Sequence, residues 1–306
     1  MTASWQARLV SFVLRHTFKP MLGRAKDARG ARAILNGGWF KTPRVVRITQ
    51  ATVGGVPGEW VESKEASNAG VLLYLHGGGY FARSARLHRP FTTAFAERGF
   101  KVFAPDYRLA PENPFPAAVT DAVAAYRALG EAAGAATRIV IAGDSAGGGL
   151  AVAALVKLRD EGDRLPAAAA LFSPLTDLAG TGKSRENNDK RCAMFHAKGL
   201  ARAAEFYLCG ADPHDPLASP LYANLERLPP LMIHVGADET LLDDSTQLAE
   251  RARAAGVAVE LAVWPGVPHI WPLFHAFVPE GRQSLDAAAE FLRRAAAQTA
   301  GASAQP

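Results

Sequence analysis

Cysteine is scarce: only Cys192 and Cys209 stand among 306 residues. They lie too far apart for a Cys-x-x-Cys motif and are too few for a disulfide framework, so they read as buried or boundary thiols. Long apolar runs are missing as well. No stretch reaches the roughly 18 to 20 apolar residues that span a bilayer. The short run at 9–14 is bracketed by Arg8 and Arg15, and no small-residue cleavage site follows, which fits a cytoplasmic helix better than a signal peptide. Blocks of like charge are absent too. The chain carries 34 Lys and Arg against 29 Asp and Glu, a net +5, but its basic residues never run longer than a pair (Lys190-Arg191, Arg293-Arg294). Charge so scattered is a property of a soluble surface and argues against a nucleic-acid partner.

What remains is 49% apolar and 21% charged, with a mean hydropathy near zero. That is the composition of a compact, soluble globular chain, not of a disordered tail, a collagen or a membrane bundle. Length alone suggests two domains, yet a single α/β sheet often uses about 200 to 300 residues.

The pattern along the chain favours one sheet. Residues 1–42 read as cationic and helical, in two segments, the second at 25–35 and ended by Gly37-Gly38. From Val45 the pattern becomes β-branched and alternating, with 45–49 and 59–62 as an antiparallel edge pair and Gly54-Gly55 and Pro57-Gly58 as turn signals between them. Apolar runs follow at 71–75, 101–104, 139–142, 168–172, 231–235 and 257–263. They lack polar alternation, as parallel strands buried on both faces do. Between them lie Ala- and Leu-rich helical segments at 91–97, 117–129, 147–159, 242–254 and 284–297. The rhythm is that of an open α/β sheet with right-handed crossovers. It breaks between Phe172 and Leu231, where a polar stretch at 180–190 and a helix at 197–208 leave the sheet. This excursion and the N-terminal helices are expected to cap the strand C-terminal edge, where open α/β sheets place their sites.

Two glycine motifs carry chemistry. Gly143-Asp144-Ser145-Ala146-Gly147 follows an apolar strand and opens a helix, the setting of a Gly-x-Ser-x-Gly nucleophile elbow. No Lys-Ser or Lys-Thr pair follows, so a phosphate loop is excluded. His76-Gly77-Gly78-Gly79-Tyr80 follows the strand at 71–75. Consecutive glycines let backbone N–H groups point into a cavity, so Gly78, Gly79 and the residue after the serine, Ala146, are the candidate oxyanion donors. His76 precedes the serine and reads as a residue that holds this loop. A triad on such a sheet runs serine, acid, histidine. His269, in the exposed-looking loop 266–269 after the last strand, is the candidate base, with His275 a packed or surface residue. The acid belongs to the loop after 231–235, where four carboxylates compete. Asp243 and Asp244 fall at a helix start, as caps or dipole partners do. Asp238 and Glu239 remain, and spacing does not separate them.

These motifs, with Asp106-Tyr107-Arg108-Leu109-Ala110-Pro111-Glu112 and Pro114-Phe115-Pro116-Ala117 between them, resemble the bacterial hormone-sensitive-lipase family (family IV) of carboxylesterases. The similarity runs from about Val71 to His269. It implies an α/β-hydrolase fold: a mostly parallel eight-stranded sheet, helices on both faces and a helical cap. The domains expected are a cap of 1–42 and 178–215 over a catalytic domain of 43–177 and 216–306. In the family the acid is usually the Asp of Asp-Pro-Leu, with Glu in a sister pattern. Aligning Leu241 with that leucine puts Glu239 at the acid position. The resemblance further implies that Asp144 and 106–108 brace the elbow and oxyanion loops without direct chemistry, and that a homodimer forms, for which the last strand offers an edge.

The expected activity is hydrolysis of short to medium acyl esters by Ser145, Glu239 and His269, through an acyl-enzyme and without metal or cofactor. Activity is expected to rise with pH as the His269 imidazole loses its proton. A lactone or an N-acetyl amide would suit the same triad. Non-catalytic receptors on this fold typically lack the histidine that stands here at 269. The sequence shows no lid-like amphipathic lipid surface, which argues against long triglycerides. Phe40, Tyr80, Phe195, Phe206 and Tyr207 are aromatic candidates for the pocket.

Overall fold

Alternate residues of each central strand feed two different cores. In a computed structural model, which describes residues 2–37, 45–65, 69–134 and 139–302, Leu73 and Leu75 pack into one apolar cluster and Leu72 and Tyr74 into another. A strand buried this way on both sides needs helices on both sides.

The strands are β1 (Val46–Val53), β2 (Val56–Ser63), β3 (Val71–Leu75), β4 (Lys101–Pro105), β5 (Ile139–Asp144), β6 (Ala169–Phe172), β7 (Leu231–Gly236) and β8 (Val259–Trp264). They form one sheet in the order β1-β2-β4-β3-β5-β6-β7-β8. From β4 to β8 all neighbours are parallel, and β1 and β2 add an antiparallel edge. The expected edge pair is therefore present, but with one turn between its strands. Gly54 and Gly55 adopt φ +60° and +78° and close a two-residue hairpin, a turn that needs positive φ at both positions. Pro57 and Gly58 instead lie inside β2, paired with Thr52 and Ala51.

The N-terminal helices are α1 (Trp5–Val13), a π-turn at Leu14–Phe18, α2 (Lys19–Gly23) and α3 (Ala28–Leu35). The second segment starts at Ala28 because Asp27 caps it, accepting from Gly30 N at 2.7 Å. The others are α4 (Arg89–Glu97), α5 (Ala117–Ala133), α6 (Ala146–Asp160), α7 (Ser184–Asn187), α8 (Ala197–Leu208), α9 (Leu242–Ala254) and α10 (Pro279–Ala302). Residues of α5, α6 and α9 cover one face of the sheet, and residues of α4 and α10 the other. The last strand begins at Val259, two residues later than expected. Val257 is used to end α9: Val257 N reaches Ala252 O and Gly256 N reaches Arg253 O, the paired bonds of a Schellman stop.

Cations fasten the N-terminal helices to loops at the strand C-terminal edge. Arg32 donates to Phe81 O (2.7 Å) and Ala110 O (2.6 Å) and pairs with Glu112. Arg202 of α8 donates to Ala25 O and Lys26 O. Lys19 is buried, and desolvation lowers its pKa although Nζ donates to Cys192 O at 2.8 Å and to Asp189 O. These bonds hold α2, α3 and α8 beside the ends of β3 and β5.

Candidate active site

Ser145 sits between β5 and α6 with φ +53° and ψ −123°, a strained conformation for a residue with a Cβ. The strain is held from both sides. Ser145 N donates to Phe172 O at 2.8 Å, and Ser145 O accepts from Gly148, Gly149 and Leu175 N–H groups. The turn leaves no room beside it. A Cβ on Gly147 would stand 2.0 Å from Leu75 O and 2.5 Å from His76 O, both backbone atoms. Glycine here lets α6 start against the end of β3.

The loop after β3 runs through Gly78 at φ +122° and Gly79 at φ +62°. A Cβ on Gly78 would meet Ala82 O at 2.2 Å, and Gly78 O accepts from Ala82 N, which closes the turn. Among the described residues, nothing accepts from the N–H groups of Gly78, Gly79 or Ala146. Gly78 and Gly79 line the same cavity as Ser145.

Behind this loop lies a buried polar cluster. Asp144 Oδ1 accepts from Gly77 N (3.1 Å) and from Tyr74 OH (2.7 Å), and Oδ2 stands 3.3 Å from His88 Nε2. Burial alone would raise the Asp144 carboxyl. Electrostatic attraction to nearby His88 and the hydrogen bond from the Tyr74 hydroxyl outweigh it and hold the carboxyl below its ordinary value. His76 bonds Gly77 O through Nδ1 at 2.8 Å and stacks on Tyr107, whose hydroxyl donates to His76 O. Desolvation, then the neighbouring His88, push the His76 imidazole down to about 3, so it is neutral. The tie from Asp106 goes one loop further on, to Ala85 N at 2.7 Å. Arg108 forms a bidentate pair with Asp121 of α5 and does not reach the elbow.

His269 follows β8 as expected, but it is buried rather than exposed. Its Nδ1 lies 2.5 Å from Glu239 Oε2. Glu239 Oε1 accepts from Gly236 N (2.6 Å) and Ser173 Oγ (2.7 Å). The neighbouring carboxylate points elsewhere: Asp238 is 39% exposed and faces Arg191 at 3.7 Å. Asp243 and Asp244 stand in the first turn of α9, as dipole partners do, but do not cap it. Asp243 accepts from Ser184 N, while Asp244 accepts from Thr176 N and Asp177 N and pairs with buried Arg185. Burial raises Asp244 to about 6 despite Arg185.

Ser173 is absent from the sequence-based set. It follows β6 directly with φ +48°, donates to Glu239 and accepts from Ile270 N at 3.3 Å. A polar residue at the C-terminal end of an apolar strand was the available signal.

Ser145 and His269 line one cavity of about 210 Å³. His269 Nε2 is buried and has no hydrogen-bond partner among the described residues, so no such bond joins it to Ser145 Oγ. The walls are mainly apolar: Leu14, Phe18 and Leu22 from the N-terminal helices, Leu200 and Phe206 from α8, and Phe195. Tyr80 and Tyr207 are not among them. They stack on each other at 3.8 Å in the core. Phe40 lies outside the described residues. The stripe Leu14, Phe18, Leu22 was legible as an i, i+4, i+8 repeat.

A family model described as alpha/beta hydrolase fold matches residues 72–273. The chain is 47% identical over 245 residues to an acetyl-hydrolase of Streptomyces hygroscopicus, across 80% of this chain and 82% of that one. Among solved structures, EstE5 soaked with p-nitrophenyl butyrate matches with a TM-score of 0.91 at 40% identity, over 96% of this chain and 100% of that chain. An esterase from the bacterial hormone-sensitive lipase family matches with a TM-score of 0.89 at 43% identity, over 96% and 99%.

Proposed function

Because this chain belongs to the bacterial hormone-sensitive-lipase family of α/β-hydrolase-fold carboxylic ester hydrolases, we propose that Ser145, His269 and Glu239 open its ester substrates as a triad. The observation that carries this reading is the pairing of buried Glu239 with His269 Nδ1, while Nε2 is left unpartnered on the cavity that Ser145 lines. An imidazole held that way keeps its proton on Nδ1 and offers Nε2 as a base.

The reaction requires Ser145 Oγ to come within hydrogen-bond reach of Nε2. Oγ attacks the ester carbonyl carbon as its proton passes to Nε2, and the carbonyl oxygen becomes an oxyanion on the Gly78, Gly79 and Ala146 N–H groups. Collapse breaks the bond to the alcohol, which leaves with the proton from Nε2. Water then attacks the acyl-enzyme carbonyl as its proton passes to Nε2, and collapse breaks the bond to Ser145 Oγ, which takes that proton back as the acid leaves. Asp144 and His76 act at one remove, by fixing the glycine loop through Gly77.

The cavity also bears on the substrate. A lining of Phe18, Leu22, Phe195, Leu200 and Phe206 suits an apolar acyl chain, and a volume of about 210 Å³ lies below the roughly 300 Å³ at which drug-sized pockets begin. Short to medium acyl esters are therefore the substrates we assign, and the acetyl-hydrolase relative supports the short end. Residues 1–42 and 178–215 act in this reading as a cap that selects the chain. We further assign a homodimer to pairing of β8 edges, where Val263 is exposed. A light-scattering mass at the single-chain 32.5 kDa would refute that pairing. The activity is tested with p-nitrophenyl esters of graded length. Turnover should peak among the short and medium chains and disappear in Ser145→Ala. A Ser145→Ala protein with wild-type turnover would overturn the assignment.

A further inference from the structure

Four large apolar side chains of α1 face outward. Trp5 is 61% exposed, Leu9 45%, Phe12 59% and Val13 46%. At about 100° per residue they fall within one sector roughly 100° wide, a continuous apolar face. Phe277 extends it, meeting Trp5 edge-on at 5.6 Å. The opposite side of the helix is also apolar: Ala7 packs against Val267, Trp271 and Val278, and Leu14 lines the cavity. With both sides apolar, the repeat does not single out the outer face. The outward apolar face of α1 is therefore visible only in the structure.

Charge identifies what this face suits. Residues 2–36 hold seven Lys and Arg and one Asp, more positive charge than the net +5 of the whole chain. Arg8, Arg15, Arg24, Lys26 and Arg29 are exposed. Arg8 and Arg15 are seven residues apart and so line one edge of the apolar sector. An apolar face rimmed by arginines is the form of a helix that lies in the plane of an anionic lipid surface, its apolar side among the acyl chains and its cations against phosphates. A second copy of this chain suits it less, because pairing two such faces would set the two cationic rims against each other.

We propose that α1 is a docking surface for an anionic lipid layer, which holds the protein flat on that layer with the cavity wall of Leu14, Phe18 and Leu22 immediately behind. The inference goes beyond ester hydrolysis and does not depend on it, since binding is read without turnover.

The test is co-sedimentation of the full chain with phosphatidylcholine vesicles, alone or mixed with phosphatidylglycerol. The wild type should partition onto the mixed vesicles and be released by high salt. Leu9→Ser combined with Phe12→Ser removes two side chains from the layer and should weaken partitioning by roughly tenfold or more, with Tm unchanged. Arg8→Glu with Arg15→Glu leaves the apolar face intact and should abolish the preference for phosphatidylglycerol. Equal sedimentation of wild type and both variants would overturn the proposal. So would a light-scattering mass of two chains that falls to one in the Leu9→Ser, Phe12→Ser protein, because a second copy would then cover the face.

Discussion

Replacing Glu239 by glutamine tests the acid without changing its size. Oε1 accepts from Gly236 N at 2.6 Å and from Ser173 Oγ at 2.7 Å, and Oε2 faces His269 Nδ1 at 2.5 Å. A glutamine has one oxygen and one NH2 for these three partners. The backbone N–H of Gly236 can only donate, so the oxygen must stay on its side and the NH2 must face His269. Nδ1 is then forced to accept, the ring proton moves to Nε2, and the base is lost. The corresponding carboxylate-to-amide change in a serine triad costs on the order of 10⁴ in kcat, about 5.5 kcal/mol. Steady-state hydrolysis of p-nitrophenyl acetate should show that loss chiefly in kcat, with little change in Tm. Glu239→Asp should also fail, since a carboxylate about 1.5 Å shorter cannot span Gly236 and His269. Asp238→Ala should stay within about threefold of wild type, as expected for an exposed side chain. Glu239→Gln retaining a tenth or more of wild-type kcat, with a larger loss in Asp238→Ala, would refute the reasoning.

Three further outcomes follow from the geometry. Gly147→Ala drives a Cβ into Leu75 O and His76 O, so it should cost about 3 kcal/mol or more, seen as a lowered Tm and poor recovery of soluble protein. Ser173→Ala removes a hydrogen bond to the Glu239 carboxylate, worth about 1.5–3 kcal/mol, and should reduce kcat by roughly ten- to hundredfold with a small change in KM. Stability should fall in acid. Burial pushes His76 to about 3 and His234 to about 4, so the folded chain keeps both neutral while the unfolded chain protonates both below the ordinary value near 6.5. The stability these groups contribute is present above pH 6.5 and is lost as the pH falls towards 4. Asp244, raised to about 6, opposes this below pH 6. The net loss between pH 7 and pH 5 is on the order of 2 kcal/mol, measurable by urea denaturation at each pH, and His234→Asn should reduce it.

Much of the fold was legible because its signals are local. Six apolar runs without alternation mark the six parallel strands, and Gly54-Gly55 marks the hairpin. Where reading and structure differ, a contact from elsewhere in the chain decides. Val257 is drawn out of β8 by the end of α9, and Pro57-Gly58 is held in β2 by its pairing with β1. The same holds at the candidate site. Gly143 to Gly147 reads as an elbow from its own five residues. Spacing could not separate Asp238 from Glu239, because the difference between them comes from Ser173 after β6 and His269 after β8. Ser173 itself carries no motif, and its contact with Glu239 exists only once β6 and β7 lie side by side. His269 looked exposed in its own loop and is buried by Phe195, whose ring meets it edge-on at 5.0 Å.

The claim that Ser145 is the nucleophile is tested most directly by intact-mass spectrometry after reaction with a small organophosphate. The account predicts one adduct per chain, located on the peptide containing Ser145, formed in step with loss of ester hydrolysis and absent in Ser145→Ala. An adduct on another residue, or complete modification of Ser145 with hydrolysis undiminished, would contradict it.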